Sequence, residues 1–432
     1  MEYEADGRSV TQFIGDILVK IRERGIWHCL KRLLQELLYP IIRNISGILA
    51  YPFCFFTNTR FISFFVRSIG HLCVEPDCYI KEELLGMRPK YNSIVLALRG
   101  AVANQHLLNY WKRYNMRIIE SPFLCFLLGP LSRNIFSGYN VYKYAFDYNP
   151  PFPEIQKRCY GRPPLLKLTE SDRKRGWEFL EKAGMIKDSW FVCVHCREES
   201  FLGEVEERNR SCDINNYLPA IREIVRRGGW VIRVGDSKMK FIPRMQQVID
   251  YAHLGIKSDW MDVFLSANCR FFLGSNSGLC HLPTVFGVPG AIANCVPISA
   301  VLPYGADDIG IPKLVWSNDK QRFLTFPEIF NSPASNYRLD SSFSRGNIKP
   351  IENSPEDITE LALEMLDKVE GKLSYTEEDE VLQRRFKFLM NPSHCSYGAI
   401  SRVGRGFLRK YANLLGNTDS RCFNKEESGR KW

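Results

Sequence analysis

Hydrophobic residues recur at helical spacing near both ends of the chain. Over residues 1–57 basic residues stand beside the apolar ones, which predicts a pair of basic amphipathic helices. Such helices either lie in the headgroup layer of a membrane or pack as a helical layer on the domain behind them. Residues 354–369 are predicted to form another helix, with an apolar face made of Ile358, Leu361, Ala362, Met365, Leu366 and Val369.

Between these regions, short runs of β-branched and aromatic residues alternate with helical patterns. Strands are predicted at residues 61–66, 92–98, 116–120, 190–195, 230–234, 248–251 and 270–274. This βαβ alternation is typical of parallel sheets with helices on both faces. The predicted fold class is α/β, with two Rossmann-like lobes that face a cleft, an N-terminal amphipathic helical segment and C-terminal helices.

Two proline clusters, at residues 150–153 and 162–164, indicate a linker between the lobes. Thr169, three residues before Asp172, is predicted to cap the first helix that follows. The predicted organisation is an amphipathic segment over 1–57, an N-terminal lobe over 58–150, a proline-rich linker over 151–165, a second lobe over 166–345, and C-terminal helices with a basic tail over 346–432.

Composition and charge narrow the class of protein. Of the 432 residues 45% are hydrophobic and 25% charged, which excludes a disordered chain. Lys and Arg number 58 against 48 Asp and Glu, and the net charge of +10 favours an anionic partner. The 14 cysteines show no spaced framework, which indicates a reducing compartment. With no signal-peptide pattern, and with residues 37–56 too interrupted to span a bilayer, the prediction is a cytoplasmic chain.

One predicted strand ends in small polar residues immediately before a helix. Backbone N–H groups at such a turn bind phosphate or diphosphate. An ordinary βα turn capped by Ser277 is the alternative interpretation. The candidate phosphate loop consists of Ser275, Asn276, Ser277 and Gly278.

Two other strand ends are predicted to reach the same edge of the sheet. Arg197 follows the strand at 190–195, and its guanidinium is suited to a bidentate grip on a diphosphate. A surface salt bridge with Glu198 or Glu199 is the alternative. Gly235 and Asp236 end the next strand, and the carboxylate is a candidate acceptor for a ribose or sugar hydroxyl. Together the three strand ends indicate a nucleotide-type ligand.

Several common cofactor motifs are absent from the sequence. Cys193, His195 and Cys196 have no second pair of ligands at zinc spacing, so no metal site is predicted. Walker A and G-x-G-x-x-G patterns are missing, which argues against a P-loop NTPase or a dinucleotide dehydrogenase. No Asp-x-Asp follows a strand. The negative charge of a diphosphate would then be balanced by arginine side chains and helix dipoles, without an obligatory metal.

The first lobe offers candidate catalytic groups on its βα loops. His71, Glu75 and Asp77 follow the first strand, where a base could deprotonate an acceptor hydroxyl. For His71 the alternative is a hydrogen bond at a helix start. Arg99 and Asn104 lie in the next loop and are candidate acceptor-side residues.

The motifs of the second lobe resemble those of a bacterial glycosyltransferase family of GT-B type. The resemblance rests on residues 190–198, 210–221, 228–236, 249–251 and 258–278, with support from 69–77, Asn104, 311–313 and 324–326. The motif order is similar to that of α-1,6- and protein O-fucosyltransferases. It implies that His195 and Arg197 belong to the donor motif, with Arg210, Asp213, Asp262 and the Ser275–Gly278 loop. Cys196-Arg197-Glu198 departs from the consecutive basic residues of fucosyltransferases, which argues against GDP-fucose.

The resemblance implies a metal-independent transferase that binds a nucleotide-diphosphate sugar, a GDP- or UDP-sugar, in residues 166–345 and its acceptor in 58–150. The acceptor would be a surface glycan or lipid-linked glycan at the cytoplasmic face of the inner membrane, with an anionic membrane surface as a further partner and no nucleic acid. Such an enzyme would serve polysaccharide or lipopolysaccharide synthesis. A sugar-nucleotide epimerase or hydrolase on the same fold and a non-catalytic, membrane-associated anion-binding scaffold are the alternatives.

Overall fold

A computed structural model describes residues 45, 48–62, 64–114, 116–129, 131, 152–198 and 207–416 of the chain. The helices predicted within residues 1–44, Glu199, and the basic tail beyond residue 416 lie outside the described residues.

Thirteen strands are found in the described ranges, and they form three sheets. They are β1 (Thr59–Ile62), β2 (Asn92–Leu96), β3 (Met116–Ile119), β4 (Phe191–His195), β5 (Trp230–Arg233), β6 (Val248–Asp250), β7 (Phe272–Ser275), β8 (Gly290–Cys295), β9 (Ile309–Pro312), β10 (Leu314–Ser317), β11 (Arg322–Phe323), β12 (Ile348–Ile351) and β13 (Arg402–Val403).

The helices lie between and after these strands. They are α1 (48–57), α2 (Ile69–Leu84), α3 (Gln105–Trp111), α4 (Pro122–Leu128), α5 (Phe152–Cys159), α6 (Glu170–Lys182), α7 (Leu218–Arg226), α8 (Asp259–Asn268), α9 (His281–Val285), α10 (Phe326–Phe330), α11 (Asp340–Arg345), α12 (Pro355–Val369), α13 (Glu377–Phe388) and α14 (Arg405–Lys410). The α/β class and the parallel strands predicted from the sequence are confirmed.

The chain divides into two compact units. The first contains, of the described residues, 45, 48–62, 91–100, 116–129 and 131. Its parallel sheet has the order β1-β2-β3. Helices α1 and α4 pack on one face of this sheet around a small cluster of buried residues, Cys54, Phe61, Leu96 and Leu131.

The second unit contains the described residues 64–90, 101–114, 152–198 and 207–416. Its main sheet is parallel throughout and has the strand order β13-β9-β8-β7-β4-β5-β6. The chain runs outward from β4 to β6 and then returns to place β7 on the other side of β4. In open parallel sheets, ligands bind at the carboxyl ends of the strands beside such a reversal.

The helix predicted at residues 354–369 is confirmed as α12, and its apolar face is largely buried. Ile358 and Met365 are fully buried, and Ser354 caps the helix by accepting a hydrogen bond from the Asp357 N–H. Thr169 likewise accepts from the Asp172 N–H at the start of α6. Burial of such a stripe is the main source of a helix's stability in a protein of this kind.

Helices α2, α3 and α5 lie in the second unit, across the boundaries predicted for the N-terminal lobe and the linker. Pro153 occupies the first turn of α5, where proline is tolerated, and Ile155 is buried beside Cys78 and Tyr304. The predicted linker therefore includes a packed helix. The functional domain boundaries stay a prediction.

The apolar stretch 37–56 is described from residue 48 onward, apart from residue 45. Among the helices that the structure describes, none has the length and hydrophobicity needed to cross a membrane.

Truncation of Met365 to alanine should destabilise the second unit by about 2–5 kcal/mol, because a buried side chain is lost and a cavity remains. Urea unfolding measures this as a lower midpoint. Val381→Ala on α13, where the side chain is exposed, is the matched control and should change stability by no more than about 0.5 kcal/mol. Equal midpoints for both variants would contradict the proposed role of α12 in the core.

Candidate functional site

The loops that follow β4 and β7 are joined at the strand reversal of the main sheet. His195 at the end of β4 pairs with Gly274 in β7. Two residues later the Arg197 backbone N–H donates to the Ser275 hydroxyl at 2.9 Å. The structure therefore places Arg197 beside the predicted phosphate loop at one sheet edge.

Three arginines surround one carboxylate next to this loop. Glu207 accepts hydrogen bonds from Arg197 at 2.9 Å, from Arg210 at 2.8 Å and from Arg338 at 2.7 Å. Arg210 also donates to the Asn276 carbonyl at 3.1 Å. The predicted alternative for Arg197, a salt bridge with Glu198, is not formed, because Glu198 pairs with Arg233 at 2.9 Å.

Burial shapes the electrostatics of this cluster, called here the arginine cluster (Arg197, Glu207, Arg210 and Arg338). Burial lowers the pKa of Arg197, and it lowers the pKa of Arg210 to about 10, with the neighbouring guanidinium groups acting in the same direction. Burial acts to raise the pKa of Glu207, but the three guanidinium groups outweigh it and hold that pKa below its usual range. The Glu207 carboxylate is thus held ionised by the guanidinium groups around it.

Polar atoms at the cluster lack hydrogen-bond partners among the residues that the structure describes. They are the Nε atoms of Arg197 and Arg210 and the buried Ser277 hydroxyl. Ser277 is the N-cap residue of the 3₁₀ turn after the loop, as the alternative interpretation predicts, but its side chain makes no capping hydrogen bond. Buried donors without partners are costly, and an anionic ligand would satisfy them.

Helix α2 begins directly against the phosphate loop. Gly70 and Gly278 approach so closely that a Cβ on Gly70 would lie 2.7 Å from the Gly278 Cα. The sequence assigned His71, Glu75 and Asp77 to a loop, but α2 starts at Ile69 and continues through Pro76. The close glycine contact brings the first turn of α2, with His71, to the loop.

His71 and Glu75 face the same side of α2 and form a pair. The His71 Nδ1 lies 2.9 Å from Glu75 Oε1, and Glu75 Oε2 accepts from the Phe65 N–H at 2.8 Å. Burial raises the pKa of Glu75, while the His71 contact opposes that shift. When Nδ1–H donates to the carboxylate, the basic lone pair of neutral His71 is on Nε2.

Asp77 lies on a different side of α2, where it is bonded to Lys81 and Tyr304. Its Oδ2 accepts from Lys81 Nζ at 2.6 Å and from the Tyr304 hydroxyl at 2.6 Å, and its side chain is fully buried. Asn104 is also occupied: it caps α3 by accepting from the Leu107 N–H at 2.7 Å and donates to the Asp259 carbonyl at 3.0 Å.

His195 and the residues after β5 form the flank of the site. The His195 Nδ1 lies 3.1 Å from the Val234 carbonyl, and burial lowers the pKa of His195 to about 4. Gly235 has a φ of +153°, and a Cβ there would lie 2.1 Å from the Met239 Sδ. Asp236 accepts from the Lys238 N–H at 2.8 Å.

The remaining predicted residues are more dispersed. Burial raises the pKa of Asp262 to about 6, with Lys257 opposing the shift from 3.9 Å. Asp213 caps a short 3₁₀ turn by accepting from the Asn215 N–H at 3.1 Å. Arg99 is exposed in the first unit, whereas the other candidates belong to the second.

Sequence reasoning missed Glu207, Arg338 and His281. Glu207 and Arg338 are 131 residues apart in the chain, and neither belongs to a motif. His281 follows the phosphate loop by three residues, which was an available signal. Burial lowers the pKa of His281 to about 4, and His71 and Arg210 act in the same direction.

Cysteines near the site are free thiols. Cys196 and Cys212 are buried, with their sulfur atoms 3.1 Å apart. In the part of the chain that the structure describes, no group of three or more His, Cys, Asp or Glu side chains is placed to hold a metal ion.

Comparisons with known proteins give distant structural likenesses. No family model and no curated protein matches the chain. Among solved structures, a family 9 glycosyltransferase from Veillonella parvula DSM 2008 aligns over 72% of this chain and 97% of its own, at 11% identity and a TM-score of 0.39. ADP-heptose LPS heptosyltransferase II from E. coli aligns over 54% and 84%, at 12% identity and a TM-score of 0.35.

A third likeness is to the dodecameric iron-containing heptosyltransferase TibC in complex with ADP-D-beta-D-heptose. It covers 82% of this chain and 77% of that chain, at 11% identity and a TM-score of 0.32. Of these three structures, one is a family 9 glycosyltransferase and two are heptosyltransferases.

Substitution of Gly70 by alanine should destabilise the second unit by about 1–3 kcal/mol, because the added Cβ meets the Gly278 backbone. Helix propensity alone predicts the opposite sign, since alanine favours a helix over glycine. Thermal unfolding distinguishes the two effects. Gly129→Ala is the control, because a Cβ there has no heavy atom within 4 Å. A Gly70→Ala protein as stable as wild type would refute the close approach.

Proposed function

We propose that this protein is a glycosyltransferase that moves a sugar from a nucleotide-diphosphate donor to a glycan or lipid-linked acceptor. The observation that carries the proposal is the arginine cluster beside the Ser275–Gly278 loop, at the strand reversal of a parallel sheet.

Charge balance favours a diphosphate at this place. Arg197 and Arg210 share the Glu207 carboxylate, so among the described residues these two mostly buried guanidinium groups exceed their carboxylate partner by one positive charge. The Nε atoms of Arg197 and Arg210 and the Ser277 hydroxyl add donors that lack partners among the described residues. Arginine binds phosphate oxygens in bidentate fashion, so a diphosphate matches both the charge and the donors.

The nucleoside and sugar parts of the donor would extend along the same sheet edge. We assign contacts with ribose or sugar hydroxyls to His195, Asp236 and Asp262, and we assign Gly235 to a close backbone approach. Support comes from their place at the ends of β4 and β5 and at α8 of the same unit. GDP- and UDP-sugars are the leading donors, on the sequence resemblance.

His71 is the proposed general base, positioned by Glu75. The acceptor hydroxyl would transfer its proton to His71 Nε2 while its oxygen bonds to the anomeric carbon. The bond between that carbon and the diphosphate oxygen breaks, and the electron pair leaves with the diphosphate. Arg197 and Arg210 stabilise the charge that develops there, so no divalent cation is required in this mechanism.

The acceptor assignment is a proposal that rests on the sequence resemblance. It implies a surface glycan or lipid-linked glycan, such as one in polysaccharide or lipopolysaccharide synthesis, at the cytoplasmic face of the inner membrane. Arg99 remains a candidate acceptor-side residue, while Asn104 would act through the packing of α3 on α8.

Thermal-shift measurements with GDP, UDP, CDP, dTDP and ADP test the donor site. One nucleoside diphosphate should stabilise the wild type selectively, with EDTA present. Arg197→Ala should weaken its binding by about tenfold or more, because charged hydrogen bonds are lost. Arg226→Ala, an exposed arginine on α7, is the matched control and should bind as wild type.

Ser277→Ala separates ligand binding from folding. Its hydroxyl has no partner among the described residues, so the free protein should be as stable as wild type. Nucleotide binding should weaken by about fivefold through one lost hydrogen bond. If none of the five diphosphates stabilises the wild type, the donor proposal is overturned. If EDTA abolishes the stabilisation, the proposed metal independence is overturned.

Replacement of His71 by alanine tests the base. Turnover with donor and acceptor should fall by about 10²–10⁴-fold, while the affinity for the nucleoside diphosphate stays unchanged. Glu75→Gln should lower turnover less, because the imidazole remains. Unchanged turnover in His71→Ala would exclude this base. Release of free sugar or an epimer from donor alone would favour the hydrolase or epimerase alternative.

A further inference from the structure

Helices α1 and α4 of the first unit present large apolar side chains to the outside of the protein. Exposed residues on their outer faces include Ile48, Phe55 and Phe56 of α1 and Phe123, Phe126 and Leu127 of α4. Phe56 is 84% exposed and Phe126 is 78% exposed. Isolated exposed hydrophobic residues are ordinary, but several large ones on two helices that pack on the same small core indicate an interaction surface.

The inward faces of these helices are formed by smaller or less exposed residues. Ala50 and Cys54 of α1, and Cys125 and Leu128 of α4, pack around the small core of the first unit. Phe61 pairs with Ile94, and Leu96 with Ile119, so both helices cover the same face of the sheet. The usual arrangement of an amphipathic helix is thus reversed, with phenylalanine outside and alanine or cysteine inside.

We propose that the outer faces of α1 and α4 form a lipid-binding surface through which the protein binds to an anionic membrane. Neither helix contains a charged residue, so the side chains on their outer faces are apolar and aromatic. Aromatic and aliphatic side chains of this kind partition into the boundary between headgroups and acyl chains.

Charge next to this surface in the chain favours a bilayer over a protein partner. Residues 17–44, which lead into α1, contain six basic residues and two acidic residues. Basic residues beside apolar side chains add attraction to anionic lipids. Phosphatidylglycerol supplies the matching headgroup. This proposal agrees with the membrane location proposed above, but the observations that support it do not involve the donor site.

Cosedimentation of the full chain with vesicles tests the proposal. Wild type should sediment with vesicles of phosphatidylcholine and phosphatidylglycerol, and less with phosphatidylcholine alone. The double variant Phe56→Ser/Phe126→Ser should lose about tenfold or more in apparent affinity, because two exposed rings no longer enter the lipid. Phe241→Ser, which removes a 79% exposed ring from the second unit, is the matched control and should bind as wild type.

Two outcomes would overturn the lipid surface. One is vesicle binding by the double variant that equals that of wild type. The other is no vesicle binding by wild type, together with a dimer in light scattering that the double variant abolishes, which would assign the surface to a second copy of the chain. Nucleoside diphosphate binding by the double variant should be unchanged, so failure of the donor site and failure of this surface are separate results.

Discussion

Two buried arginines that share one carboxylate at the strand reversal of the main sheet are the constraint on which the functional interpretation depends. Among the described residues, Arg197 and Arg210 share a single carboxylate, that of Glu207. Desolvated cations are costly unless anions meet them, and the lowered pKa of Arg210 expresses that cost. An anionic ligand at this place would therefore compensate the charge of the arginines. It would also accept hydrogen bonds from the donors that lack partners among the described residues.

A close contact between two glycines brings the candidate base near the arginine cluster. Because neither Gly70 nor Gly278 carries a Cβ, the start of α2 approaches the backbone of the phosphate loop. His71 follows Gly70 directly, and Glu75 holds the imidazole from one turn further along the helix. The position of His71, the candidate proton acceptor, relative to the arginines that would stabilise the leaving group thus depends on one packing contact.

Much of the fold could be predicted from local patterns. The strands at 191–195 and 272–275, the Thr169 cap and the buried face of α12 follow from hydrophobic periodicity and capping chemistry, and all are confirmed. Arg197 was a candidate because it follows a buried strand, and the structure places it beside the Ser275–Gly278 loop. His71, Glu75 and Asp77 were expected on a loop after the first strand, yet α2 continues through Pro76 and carries Asp77 on a face where it pairs with Lys81. Periodicity does not reveal that exception.

Contacts between distant segments could not be predicted in this way. Arg338 reaches Glu207 across 131 residues, and α2 and α3 join the second unit although strands of the first unit flank them in sequence. These contacts depend on tertiary packing, which a single sequence does not encode in any local spacing. For that reason the salt bridge of Arg197 with Glu207 was not predicted, and the alternative that the sequence offered named only the adjacent Glu198 or Glu199.

A crystal structure of the protein with its stabilising nucleoside diphosphate, grown with EDTA, tests the central claim most directly. The account predicts diphosphate oxygens within hydrogen-bond distance of the Arg197 and Arg210 guanidinium groups and of the Ser277 hydroxyl. A nucleotide bound away from the Ser275–Gly278 loop, or one whose diphosphate contacts none of these groups, would contradict it.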